Sequence, residues 1–232
     1  GSRRGEARRH APILKTPLAW AGHAHWLRIS KQQSIRWESG AACAEWPLAS
    51  FEGESMSTVL IVPGWRDSGP GHWQTLWAEQ LPGAVRVHQD DWITPTRSAW
   101  IASITRHILE IDGPVVIAAH SLGCIATSHL PPEAAERIVG ALLVAPADPE
   151  RRGILADFAP VPYQPLPYRS IVVASTNDPF CPVRTAGAYA RAWKSEFVRL
   201  PDAGHINVEA GFGPWPLGSA LLQSLLLVET SA

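Results

Sequence analysis

Between Pro114 and Cys124 the chain reads Pro-Val-Val-Ile-Ala-Ala-His-Ser-Leu-Gly-Cys. The apolar run is the right length for one fully buried strand and too short for a buried helix. It stops abruptly in small residues around Ser121, and a helix-compatible segment, Ile125 to His129, follows. Such a run dictates a sharp strand-to-helix turn. A serine hydroxyl is a weak nucleophile, and a turn of this kind presents it where a base can reach its proton while leaving room only for small neighbours, here Ala119 and Gly123. The same turn aims the Leu122 amide at the place where negative charge would develop on a bound carbonyl oxygen, and the positive end of the following helix adds to that field. Alanine stands where glycine is usual, but it is still small. A serine that merely caps an ordinary helix would look similar, so partners elsewhere in the chain have to decide its role.

The rest of the chain supplies strands and helices in alternation. Thr58–Val62 is an apolar strand leading into a loop, 63–71, with three glycines and two prolines. His72 to Leu81 places Trp73, Leu76, Trp77 and Leu81 on one helical face, and Ala84 to His88 is a second short strand. Thr94 followed by Pro95 predicts an N-cap with proline at the first helical position, ahead of a helix with Trp100, Ile104, Ile108 and Ile111 in register. Pro131-Pro132 breaks the chain after the serine helix, and 133–137 is a short polar helical stretch. Val139 to Ala145 is the fourth strand, Arg169 to Ser175 the fifth and Phe197 to Leu200 the sixth. Between the last two lies a helix over 183–194, and a final amphipathic helix runs from about Leu217 to Val228. Residues 146–168 carry too many prolines for regular helix and form either a cover beside a pocket or a passive crossover. This alternation predicts one doubly wound α/β domain with a mostly parallel six-stranded sheet and no large cap.

In a parallel sheet the carboxyl ends of the strands share one edge, so polar residues placed just after different strands can meet there. Ser121 follows the third strand, Asp178 the fifth and His205 the sixth. Serine, then acid, then histidine is the order of the α/β-hydrolases. His205 is the expected general base, and Asp178 the group that fixes its tautomer. The expected oxyanion donors are the backbone amides of Trp65 and Leu122, with Gly64 as the alternative to Trp65. Asp148, after the fourth strand, competes with Asp178 but sits nearer the middle of the sheet, and Asp202 reads as a surface turn residue. His120 should point away from Ser121 into a packed, hydrogen-bonded site. His72 starts a helix at the rim, and His107 and His129 read as structural. Cys124, inside the turn helix without a base, reads as a small buried hydrophobe.

These residues also carry a resemblance. Pro63-Gly64, His72-Trp73-Gln74, Ala119-His120-Ser121-Leu122-Gly123-Cys124, Asn177-Asp178-Pro179, Gly204-His205-Ile206-Asn207 and Gly211-Phe212-Gly213-Pro214-Trp215-Pro216 resemble the YdeN and retinoblastoma-binding serine hydrolase family of small α/β-hydrolases. The match covers roughly residues 57 to 228. It implies a compact hydrolase with Ser121, Asp178 and His205 as its triad and no cofactor, and it favours Asp178 over Asp148. Small carboxylic esters or amides are then the expected substrates, through an acyl-enzyme. The alternatives are a thioesterase or acyltransferase using the same residues, or a non-catalytic protein-binding module on the same fold. Trp65, Trp92 and Trp215 are candidates to line an apolar acyl pocket, although core packing is the expected fate of at least two.

Composition narrows the classes further. The formal net charge of −1, from 20 basic and 21 acidic residues, offers no footprint for nucleic acid or an anionic membrane. Three cysteines, Cys43, Cys124 and Cys181, suit a reducing compartment, and no metal-ligand spacing joins them. Residues 1–55 read differently from the domain at 56–232. Gly1-Ser2 reads as a cloning scar, and Arg3, Arg4, Arg8 and Arg9 precede no uninterrupted apolar segment, so export is not expected and a cytoplasmic location is. Met56 is the only methionine, and Glu52-Gly53-Glu54 can be encoded by a purine-rich ribosome-binding sequence. Much of residues 3–55 is therefore expected to be upstream sequence read through from a misassigned start, the alternative being a genuine extension packed on the domain. An intact native chain beginning near residue 3 by mass spectrometry would contradict the read-through.

Overall fold

The computed structural model describes residues 57–227, so the expectations for residues 1–55 lie outside the described residues. Six strands, β1 (Thr58–Val62), β2 (Val85–Arg86), β3 (Val115–His120), β4 (Ile138–Val144), β5 (Arg169–Ser175) and β6 (Glu196–Leu200), pair in the order β2-β1-β3-β4-β5-β6. Every pair is parallel. The helices are α1 (Trp73–Gln80), α2 (Arg97–Glu110), α3 (Leu122–Ser128), α4 (Pro132–Ala135), α5 (Val183–Trp193) and α6 (Pro216–Leu226). This is the expected α/β-hydrolase architecture, with a sheet parallel throughout.

Alternation along the strands sorts the core into two layers. On one face Leu60, Ile117, Leu143 and Val172 pack with α2, α3 and α5; on the other Ile61, Val116, Leu142 and Val173 pack with α1 and α6. Trp73 on α1 lies 4.6 Å from Trp77 and 5.5 Å from Trp215, ring centre to ring centre. Aromatic pairs like these contribute about 0.5–1.5 kcal/mol each beyond the area they bury. Trp215 therefore belongs to the core beside α1. Trp92 packs edge-on against Trp100, 5.7 Å away, on the opposite face.

Two helix starts differ from expectation by two residues or more. Helix α2 starts from Thr96, not Thr94, because the Asp91 carboxylate accepts the backbone N–H groups of Ile93 and Thr94 and holds them in a turn. Helix α3 starts at Leu122, directly after the serine, three residues earlier than its side chains suggested. The proline-rich crossover holds two short 3₁₀ turns, Pro149–Arg151 and Gly153–Phe158, with Phe158 buried in the core. Among the described residues no helix is long and apolar enough to cross a membrane.

Candidate active site

At the carboxyl edge of β3 the backbone turns at Ser121 with φ 53° and ψ −118°, a conformation that costs a non-glycine residue on the order of 1–3 kcal/mol. The neighbouring strand over-determines it. Ser121 N–H donates to Val144 O at 3.0 Å, and Ser121 O accepts from Cys124 N–H at 3.1 Å and Ala147 N–H at 3.2 Å. Gly123 is required because a Cβ there would collide with the backbone oxygens of Val62 and Pro63, which cannot swing away. Gly64 lies equally close, since its Cβ would fall 2.8 Å from Ser121 Cβ. The loop after β1 thus runs against the serine, as the pairing of Val62 with Ala119 requires.

Ser121 Oγ lies 2.9 Å from His205 Nε2, and His205 Nδ1 lies 3.0 and 2.9 Å from the two carboxylate oxygens of Asp178. A carboxylate can only accept, so Nδ1 carries the imidazole proton and donates it to Asp178. Nε2 is left with a lone pair facing the serine hydroxyl, which donates to it. The His205 and Asp178 side chains are 8% and 3% exposed, so these bonds are shielded from competing water. Asp178 is aimed by the Phe180 N–H, which donates to Oδ1 at 2.8 Å.

The loop bearing His205 is tied to the loop bearing Asp178. Ser175 Oγ, at the end of β5, donates to Asn177 Oδ1 at 2.8 Å and accepts from Ala203 N–H at 2.9 Å, while Asn177 Oδ1 accepts from Gly204 N–H at 2.7 Å. A cavity of about 440 Å³ opens over Ser121 and His205, with Trp65, His72, Arg152 and Leu155 among its walls. Arg152 and Leu155 come from the proline-rich crossover, which is therefore a wall of the cavity. The Phe180 ring stacks on His205 at 4.2 Å, and the Arg152 guanidinium lies over that ring at 4.0 Å.

The chain matches the family described as serine hydrolase over residues 59–224. It belongs to that family. The serine hydrolase shares 37% identity with a protein described as a YdeN-like hydrolase from Pectobacterium atrosepticum, over 74% of this chain and 91% of that one, with a TM-score of 0.68. The ydeN gene product from B. subtilis is 21% identical over 73% of this chain and 98% of its own, with a TM-score of 0.63. Mouse alpha/beta hydrolase domain-containing protein 10, at 12% identity over 74% and 88% with a TM-score of 0.56, shares the fold. No match is found among curated proteins.

Other candidate residues of this serine hydrolase fall as follows. Asp148 caps a 3₁₀ turn, accepting from Glu150 N–H at 3.2 Å, and makes no hydrogen bond to His205. Asp202 sits in a surface turn bonded to Thr176. Of the three tryptophans, Trp65 alone is among the cavity residues. Among the described residues neither the Trp65 nor the Leu122 amide donates to a backbone acceptor outside its own helix or strand. His107 and His129 bond to backbone carbonyls on or beside their helices. Cys124 and Cys181 are buried free thiols, and burial pushes the Cys181 thiol up to about 12.

Sequence reasoning missed the weight carried by His72-Trp73-Gln74. His72 Nδ1 accepts from Gln74 N–H at 3.1 Å and caps α1; burial, then the Arg86 and His205 charges, lowers its pKa to about 4. The Gln74 side chain, wholly buried, donates to Val62 O at 3.0 Å and Ala118 O at 2.9 Å and accepts from Ser68 at 2.6 Å. It therefore straps the ends of β1 and β3 together beneath Ser121. The signal was present as a glutamine among tryptophans, but an apolar stripe does not say what an amide within it bonds.

Proposed function

We propose that this hydrolase cleaves small carboxylic esters, and amides more slowly, through an acyl-enzyme on Ser121. The reading rests on one observation: the unbroken chain of hydrogen bonds from Ser121 Oγ through His205 to Asp178 at the floor of an open cavity. In the first half-reaction the Ser121 proton passes to His205 Nε2 as Oγ bonds to the substrate carbonyl carbon. The carbonyl oxygen gains the negative charge and is met by the Leu122 amide at the start of α3 and the Trp65 amide of the β1 loop. A donor of this kind is worth about 10²–10³ in rate. Asp178 stabilises the imidazolium without taking its proton. His205 then gives the proton to the leaving alcohol as its bond to the carbonyl carbon breaks.

In the second half-reaction water loses a proton to His205, attacks the acyl carbon and releases the acid, and the proton returns to Ser121. The cavity walls carry Arg66, Arg152 and Glu209 beside apolar Leu155 and Trp65, a mixture that suits a short or polar acyl group over a long alkyl chain. Among the described residues both cysteines, Cys124 and Cys181, are buried free thiols, which supports a cytoplasmic location. A panel of short-chain chromogenic esters, thioesters and amides with wild type and Ser121→Ala tests the reading. Ester turnover lost in the variant is the expected result, and equal turnover in both proteins would end it. Preference for a thioester, or transfer to an added alcohol in place of hydrolysis, would reassign the substrate while keeping the residues.

A further inference from the structure

His205 sits in a loop whose backbone is gripped from two distant parts of the chain. His120 Nε2–H donates to His205 O at 2.9 Å, and Trp73 Nε1–H donates to Ile206 O at 3.0 Å. Both donors are buried, as is the Ile206 side chain. Ile206 has φ 51°, a left-handed conformation that a β-branched residue adopts only when its surroundings impose it. Those two bonds, together with the Ile206 N–H donated to Ala203 O at 3.1 Å, bear directly on it. His205 O belongs to the peptide plane before the Ile206 Cα and Ile206 O to the plane after it, so fixing both planes fixes the rotation between them.

We propose that Trp73 and His120 are positioning residues that hold Ile206 in this conformation and thereby keep His205 Nε2 on Ser121. The inference rests on the reading of His205 as the general base. His120 is also the last residue of β3, adjoining Ser121, and its ring packs 4.8 Å from the His205 ring. One side chain thus links the strand that presents the nucleophile to the loop that presents the base. Burial, then the nearby His205 and His72, keeps the His120 imidazole neutral, so it grips the loop without placing a cation beside the base. The same grip explains why a tryptophan indole and a histidine stand at two positions where apolar side chains would fill the same core.

The test compares His120→Phe, which removes the donor, with His120→Gln, which keeps an N–H, and with Trp73→Phe. Turnover of p-nitrophenyl acetate is expressed per fluorophosphonate-titrated site, so a smaller folded fraction does not register as a slower enzyme. A misplacement of the base by about 1 Å predicts a fall in kcat of about 10- to 100-fold for His120→Phe with KM within about 2-fold, and a smaller fall for Trp73→Phe. His120→Gln should recover most of the loss. The proton of the His205 Nδ1–H···Asp178 bond, read at low field by NMR, should broaden in His120→Phe and return in His120→Gln. Unchanged kcat per titrated site in His120→Phe and Trp73→Phe, or a glutamine variant no better than the phenylalanine one, overturns the proposal. If His120→Phe does not fold, Trp73→Phe decides the matter from the other carbonyl. Turnover surviving in His205→Ala would instead remove the base assignment, while the NMR comparison would still report on the grip.

Discussion

The turn at Ser121 and the loop at His205 both hold a residue at positive φ, but they are built by opposite means. Ser121 is held by what adjoins it: residues from 119 to 124 supply the small side chains, and the flanking strands β1 and β4 supply the walls and the backbone partners. The His205 loop has one local bond, Ile206 N–H to Ala203 O at 3.1 Å, and otherwise depends on distant partners. Its four consecutive residues, Ala203 to Ile206, are tied by Ser175, Asn177, His120 and Trp73, which lie 27 to 133 positions away. A contiguous motif therefore marks the nucleophile, and its partners lie on the two adjoining strands, whereas the base is held by side chains gathered from separate parts of the chain. Damage to the first should act through packing, and damage to the second through alignment.

The largest effects should come from the residues in which the two regions meet. Ser121→Ala and His205→Ala are each expected to lower kcat by at least about 10⁴-fold, with the pair no worse than either alone, since they act as a unit. Roughly additive losses in the double variant would separate the two regions chemically. Asp178→Asn should cost about 10³- to 10⁴-fold, because an amide favours the wrong tautomer of His205. A loss below about 10-fold would point to another acid, Asp148 first.

Acid should strike the histidine cluster before the turn. The His72 pKa is about 4 in the folded protein against the ordinary histidine value of 6.5, so the unfolded chain takes up the proton first as pH falls. Its contribution to stability is complete above about pH 6.5 and is lost toward pH 4, on the order of 3 kcal/mol. The buried, neutral His120 adds a loss of the same sign. Urea midpoints at pH 7, 5 and 4 should therefore fall more steeply for wild type than for His72→Asn, which keeps a capping acceptor. Parallel slopes would clear His72 of any part in the acid sensitivity.

Smaller substitutions sharpen the contrast directly. Gly123→Ala drives a methyl into the Val62 and Pro63 carbonyls and should cost about 1–3 kcal/mol of stability along with activity. Asn177→Ala removes the acceptor shared by Ser175 and Gly204 and should cost about 1 kcal/mol while lowering kcat more than the stability loss explains. The reverse pattern, a stable Gly123 variant beside an unfolded Asn177 variant, would break the distinction between packing and alignment.

The same contrast separates what could be read in advance from what could not. The central strands were legible because buried parallel strands are short unbroken apolar runs, and Ser121, Asp178 and His205 could be singled out because each lies in the turn that follows a strand. The start of α2 was misplaced because Thr94-Pro95 carries a capping signal that the Asp91 carboxylate overrides from three residues upstream. The crossover at 146–168 was readable as irregular from its prolines, yet only the fold brings Arg152 and Leu155 to the cavity. Trp65, Trp92 and Trp215 are chemically identical in the sequence; Trp215 goes to one layer, and of the two packed against the other only Trp65 reaches the cavity. Gln74 and Trp73 act through single polar atoms on an apolar face, and periodicity is blind to such atoms.

Where a fluorophosphonate attaches, and what that attachment needs, tests most directly whether the turn and the loop work as one site. Peptide mapping of the labelled wild type should place a single adduct on Ser121, with labelling of His205→Ala slowed by at least about 10²-fold. An adduct on any other residue, or equal labelling rates in the two proteins, would contradict the pairing of Ser121 with His205.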